Sequence, residues 1–280
     1  MSVEAVVRVF GYAGGSVTIA GEGAGADGVW LMSEVEGFYD PEVEAVTKPL
    51  ASRPGTRFLS HRVVERTVVF KVLIEDGERE GWRTRDARWR RLWSWDEYST
   101  IAVTVGGRTR RLKARLSEIE VDTTYDPHTN SATEVVMTVV ADDPFWYGTS
   151  FEKEVRVAGK TTFTVPYANP TENRVYPVFD LEGGASWTIP AFHSPRGAKE
   201  YRLPALKEGE DVRVSTDPGA RQLVSVNDTP VWARMNGVRF DGYIPPFTGS
   251  LSVTLKHDSQ MIRTARIVLE RPFDRPWGEV

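Results

Sequence analysis

Apolar and polar positions alternate with a period of two along most of this chain, in runs short enough to be strands. Val3–Phe10 is Val-rich and alternating, and Val63–Ile74 (VVERTVVFKVLI) is β-branched with polar residues on one phase. Thr100–Val105 and Arg108–Leu116 flank Gly106-Gly107, a two-residue connection that predicts a hairpin. Ile119–Thr124 and Glu134–Val140 predict a second hairpin around Tyr125-Asp126-Pro127-His128. The glycine-heavy segment 11–28 (GYAGGSVTIAGEGAGADG) is expected to be a flexible loop between early strands.

One segment departs from the period of two. In Trp82–Trp95 (WRTRDARWRRLWSW), Trp89 and Trp93 stand four apart, which puts both indoles on one helical face while arginines occupy the other positions. A single helix is predicted from about Thr84 to Trp95, packed on a sheet through its aromatic face. Arg83, Arg85, Arg88, Arg90 and Arg91 cannot all be buried against that sheet, which makes them candidate interface residues.

Two acids, a proline and a glycine bracket three aromatics in Asp142-Asp143-Pro144-Phe145-Trp146-Tyr147-Gly148. A domain boundary is placed near Gly148, giving domains 1–148 and 149–280, with Phe145, Trp146 and Tyr147 as candidate packing residues at the junction. Beyond it the candidate strands are Glu152–Val157, Thr161–Val165, Tyr176–Leu181, Ser186–Ile189, Asp211–Ser215, Gln222–Val226, Leu251–Leu255 and Thr264–Leu269. Pro and Gly recur between them, the signature of a sandwich or jelly roll.

Composition narrows the chemistry. The 280 residues are 40% hydrophobic and 26% charged, and there is no cysteine, which removes disulfides and thiolate metal sites. A net charge of -4 with interspersed signs argues against a sequence-specific nucleic-acid binder. No apolar run reaches the ~20 residues of a membrane span. The N-terminus carries no signal-peptide pattern. The chain is therefore expected to be soluble and made in a cytoplasm.

His61, His128, His193 and His257 are widely spaced and form no H-x-x-x-H pair. Nucleophile-elbow, Walker A and dinucleotide-binding patterns are absent from the sequence. Asp142-Asp143 point apart if extended, and Glu208, Glu210 and Asp211 read as solvated turn acids. Asp122–Asn130 lacks the glycine and terminal glutamate of a calcium loop. The expectation is a protein without catalytic residues, bound metal or cofactor. Trp187, Trp232 and Tyr201 are weighed as a sugar platform against the alternative of core packing.

The order of these features resembles the distal tail proteins of long-tailed siphophages, in particular the minor tail proteins of phages infecting actinobacteria. The likeness is carried by the Trp/Arg helix, the following Gly-Gly hairpin, and Asp143-Pro144-Phe145-Trp146-Tyr147-Gly148. It continues through Tyr167-Ala168-Asn169-Pro170-Thr171, Tyr176–Gly183, Leu206–Thr216, Asp217–Arg221, Asn236–Phe240 and the terminal Arg271–Gly278 (RPFDRPWG).

That resemblance implies a mainly β chain. Its N-terminal part would be a β-barrel-like belt domain with one α-helix, six copies of which close a ring. Its C-terminal part would be a β-sandwich, galectin-like or jelly-roll. The implied partners are other copies of the chain, the tail-tube protein, and the baseplate hub or a tail-associated lysin. The implied location is the tail tip of the virion, after assembly in the host cytoplasm. The alternative is a carbohydrate-binding accessory tail protein that contacts the host envelope.

Overall fold

The computed structural model describes residues 5–32, 35–51, 53–78, 80–122, 124 and 126–278. Val3 and Glu4 of the first predicted strand, and Tyr125 of the predicted second turn, lie outside the described residues. The chain divides into two compact units, Met1–Gly148 with Asp274–Glu279 and Thr149–Phe273. The linear division at 148 left those last residues with the second part. They group with the first because Arg66 and Arg110, both first-unit residues, hold their backbone carbonyls.

The strands of the first unit are β1 Val6–Phe10, β2 Ser16–Ala20, β3 Val29–Leu31, β4 Val43–Pro49, β5 Thr56–Val63, β6 Arg66–Glu75, β7 Ser99–Val105, β8 Arg108–Val121, β9 Ala132–Ala141 and β10 Trp146–Tyr147. Hydrogen bonding orders them β2-β1-β7-β8-β9-β6-β3, with β10 on β8. The end strands β2 and β3 touch, so the sheet nearly closes into a barrel.

β8 makes this curvature possible. Its first half pairs with β7 and its second with β9, and the register shifts between Leu116 and Glu118. Such a bulge adds a residue to one strand and bends it. Arg108–Leu116 and the start of the expected Ile119–Thr124 are thus one continuous strand that ends at Val121; Thr123 lies outside the described residues.

Every second residue of β6 is buried, including Val68, Phe70, Val72 and Ile74, and Val135, Met137 and Val139 of β9 do the same. Helix α1 (Trp82–Arg91) lies on this face. Trp89 and Trp93 are buried with ring centroids 6.3 and 6.0 Å from Phe70 and 5.6 Å from each other.

The helix ends earlier than its aromatic spacing predicted. The amides of Leu92 and Trp93 reach back only three residues, to Trp89 and Arg90, tightening the last turn. Ser94 Oγ then accepts the amides of Asp96 and Glu97 and turns the chain away. A single-turn helix, α2 (Pro127–Asn130), stands where a plain turn was expected, started by the Asp126 side chain accepting the His128 amide at 3.0 Å. Ser16–Ala20, inside the expected loop 11–28, forms β2 because Val17 and Ile19 find the core.

In the second unit, β11 (Phe151–Val157), β13 (Val178–Leu181), β16 (Val212–Ser215), β17 (Leu223–Ser225) and β19 (Arg263–Leu269) form one sheet, ordered β11-β19-β13-β16-β17. β12 (Lys160–Val165), β14 (Trp187–Pro190), β15 (Glu200–Arg202) and β18 (Leu251–His257) form a second, ordered β12-β18-β14-β15. Phe179, Val214 and Ile267 of the first sheet share one core with Trp187, Ile189, Val253 and Leu255 of the second. This is the mainly β architecture expected, a barrel-like sheet with its helix followed by a two-sheet sandwich.

Trp187 and Tyr201 belong to this core, so the platform considered for them with Trp232 does not form; Trp232 alone is exposed. Glu210 corrects a second expectation. It is buried, and it accepts hydrogen bonds from Thr229, the Lys207 amide and Arg234. Burial pushes its carboxyl upward, but these donors outweigh it and hold the group at about 2.

Candidate assembly surfaces

Strands β4 and β5 form a two-stranded sheet of their own, paired from Val43↔Val63 to Pro49↔Thr56. All of their residues are exposed except Val63, which is half-buried. At about 3.3 Å per residue the arm is roughly 25 Å long. Near its tip the Leu50 amide donates to Gly55 O, and Gly55 sits at φ 109, a conformation that only glycine adopts without strain.

Val43, Val46, Phe58 and Leu59 are each between 43% and 60% exposed on this arm. The Arg62–Glu44 pair across it, at 3.0 Å, is solvated and contributes little. Isolated hairpins are marginal in water, and both outer edges here present unpaired backbone groups.

The helix arginines divide by environment. Arg85 runs between two glycines: a Cβ on Gly28 or on Gly77 would lie 1.8 Å from its guanidinium. Arg85 donates to Glu75 O at 3.1 Å. Arg88 binds both oxygens of Glu80 at 2.6 and 2.5 Å, with Asp27 at 3.5 Å. Arg90 holds Asp86 one turn back at 2.9 Å. Arg83 lies 2.6 Å from His128 Nδ1. Arg91 is exposed and has no partner among the described residues. Internal partners thus take up most of the arginine face.

Trp146 is buried in the first unit, edge-on to Phe38 at 5.4 Å, with its indole N–H donating to Phe38 O at 3.2 Å. Tyr147 pairs with Arg111 of β8, and its hydroxyl donates to Asp143 at 2.7 Å. Phe145 is half-buried beside them.

Arg66, the first residue of β6, was not singled out in the sequence. Its buried guanidinium donates to the carbonyls of Pro144, Gly37, Tyr39 and Asp274, three chain segments held by one side chain. Burial lowers its pKa to about 10, opposed by Asp274 and Asp40. Arg110 donates to Arg275 O and Trp277 O, Trp277 meets Tyr39 edge-on at 5.1 Å, and Arg275 pairs with Asp40. Asp274–Trp277 are thus strapped to the rest of the first unit.

The histidines do not converge. His61 lies on the hairpin, His128 under Trp82, His193 against Tyr243 and His257 beneath Trp187. Among the described residues no group of three His, Asp or Glu side chains is placed to hold a metal, and no helix is long and apolar enough to cross a membrane.

This order, a barrel-like sheet with its helices followed by a two-sheet sandwich, is found in solved phage structures. The chain is similar to the crystal structure of SPP1 Dit (gp 19.1), described as a paradigm of the hub adsorption apparatus of phages infecting Gram-positive hosts. The TM-score is 0.63 at 16% identity, over 96% of this chain and 99% of that one. It is also similar to a chain of the phage P2 baseplate in its activated conformation with Ca, with a TM-score of 0.53 at 8% identity over 97% and 99%.

No family model matches the sequence. The sequence is 31% identical to minor tail protein Gp27 of Mycobacterium phage L5, over 91% of this chain and 93% of that protein. It is 30% identical to minor tail protein Gp27 of Mycobacterium phage D29 over the same shares. The chain belongs to this family of mycobacteriophage minor tail proteins and is a structural component of a phage tail. The family expected from the order of motifs is the family found.

Proposed function

We propose that this chain closes a homo-oligomeric ring at the tail tip and joins the tail-tube protein to the baseplate hub or a tail-associated lysin, without catalysis. The observation that carries this reading is the β4–β5 arm, which exposes Val43, Val46, Phe58 and Leu59 and is unpaired at both edges. An arm that docks on a different patch of the next copy makes a heterologous contact, and such contacts close into rings when the rotation is right. Six copies is the number the resemblance to distal tail proteins implies. The 1–148 domain would form the belt of the ring, with 149–280 as a second, β-sandwich domain. Arg91 is the helix arginine best placed to reach a neighbour, since Arg83, Arg85, Arg88 and Arg90 have partners within the chain. Phe145, beside the buried Trp146 and the paired Tyr147, is the candidate for packing at the domain junction.

The test is mass photometry with negative-stain electron microscopy on the intact chain and on Phe58→Asp/Leu59→Asp. Rings in the wild type and monomers in the variant, with circular dichroism unchanged, support the reading. Rings that survive both substitutions overturn the role of the arm. Cleared bands in zymography on host cell wall would overturn the non-enzymatic assignment.

A second reading, contact of the second unit with envelope carbohydrate, is favoured by one observation: Trp232 stands exposed beside an apolar cleft.

A further inference from the structure

That cleft has a volume of about 400 Å³ and is built from a short stretch of chain. Leu223, Met235 and Phe240, all buried, form its floor. Trp232 lies on the short 3-10 helix Val231–Met235 with 64% of its surface exposed, although its helix neighbours Val231 and Met235 point into the core. A buried helix face leaves the opposite face to solvent, so an indole placed there was not drawn out of the core by packing. Arg221 and Arg239 stand on the rim. Both are exposed and neither forms an ion pair among the described residues, whereas nearby Arg234 is held by Glu210. Among the described residues no acid lines the cleft.

We propose that this cleft binds an acidic saccharide, a pyranose ring that bears a carboxylate. The apolar C–H face of such a ring stacks on the indole and covers the floor, and the two guanidiniums meet the carboxylate with charge-assisted hydrogen bonds. Size favours a sugar over a protein surface. The cleft lies at the small end of the roughly 300–1,000 Å³ range of ligand pockets, while a stable protein interface needs about 800 Å² from each partner. The unpaired positive rim selects an anionic ligand over a neutral one. This inference rests on the carbohydrate reading above and is independent of ring closure.

The experiment is isothermal titration of the full chain with two probes, a tetrasaccharide of alternating glucuronate and N-acetylglucosamine, and a neutral glucose tetrasaccharide. The acidic probe is expected to bind on the order of 0.1–1 mM and about tenfold tighter than the neutral one, a preference that shrinks as salt is raised. Trp232→Ala should weaken both by about tenfold or more, and Arg221→Ala/Arg239→Ala should erase the preference alone. All three side chains are exposed, so the variants should keep the wild-type melting temperature, which is checked alongside. Equal binding of both probes, unchanged by the arginine substitutions, overturns the acidic assignment and leaves the carbohydrate reading standing. Binding indifferent to Trp232→Ala overturns the site. No binding of either probe overturns both, as does capture of an acidic aromatic peptide with no saccharide bound. Mass photometry of the same variants should find assembly unchanged, and loss of assembly would reassign the cleft to a subunit contact.

Discussion

The pairs β4–β5 and β6–β9 are both antiparallel ladders of the first unit, and β5 and β6 are separated by little more than a turn, yet they are held in different ways. In β6–β9 every second side chain enters the core and the helix indoles cover Phe70. In β4–β5 the backbone pairing runs the length of the arm with one register shift between Val46 and Thr47, but no side chain is buried. Backbone hydrogen bonds exchange protein for water and give little net stability, so burial decides. The first ladder is held by its buried face, and the second has no buried face within this chain.

The same contrast separates two arginines four residues apart. Arg62 on the arm pairs with solvated Glu44, while Arg66 binds four carbonyls in the interior.

These contrasts give measurable differences. The largest is expected for Phe70→Ala, which empties the space against which Trp89 and Trp93 pack and should cost about 3–5 kcal/mol in denaturant unfolding. Phe58→Ala on the arm should stay within about 0.5 kcal/mol, and a comparable loss at both positions would erase the distinction. Arg66→Met follows, at roughly 3 kcal/mol, because carbonyls from three segments lose their donor; Arg62→Met should change stability by at most about 0.5 kcal/mol.

Glu210→Gln should cost about 2 kcal/mol near neutral pH, against almost nothing for Glu44→Gln. The pH dependence has a definite sign. Glu210 sits at about 2 in the fold against an ordinary 4.5, so its contribution is complete above about pH 5 and is lost as pH falls toward 2. Wild-type stability should therefore decline more steeply than that of Glu210→Gln across that window. Parallel pH profiles would contradict this.

The legible parts of the sequence were those where one face is buried. The alternation in β6 and β9, the Gly106-Gly107 hairpin and the paired indoles of α1 all report contact with the core. The arm was invisible for the same reason, since a hairpin with no buried face has no period to impose. Glycines on both sides hid β2, although Val17 and Ile19 carry its buried face.

Side-chain fates set by distant residues could not be read locally. Arg85 is internal because Gly28 and Gly77 leave room for it. Glu210 is buried because Thr229 and Arg234 reach it from 19 and 24 residues away. The motif around Trp146 and the terminal RPFDRPWG pointed to the family without revealing that Arg66 and Arg110 bind the terminal segment.

The most direct measurement of the central claim is amide hydrogen exchange over Val43–Val63, read in the isolated chain and in the assembled ring, with β6 as internal reference. The account predicts fast exchange on the arm and slow exchange in β6 for the isolated chain, then strong protection of the arm alone on assembly. An arm already as protected as β6 in the isolated chain, or one still unprotected after assembly, would contradict it.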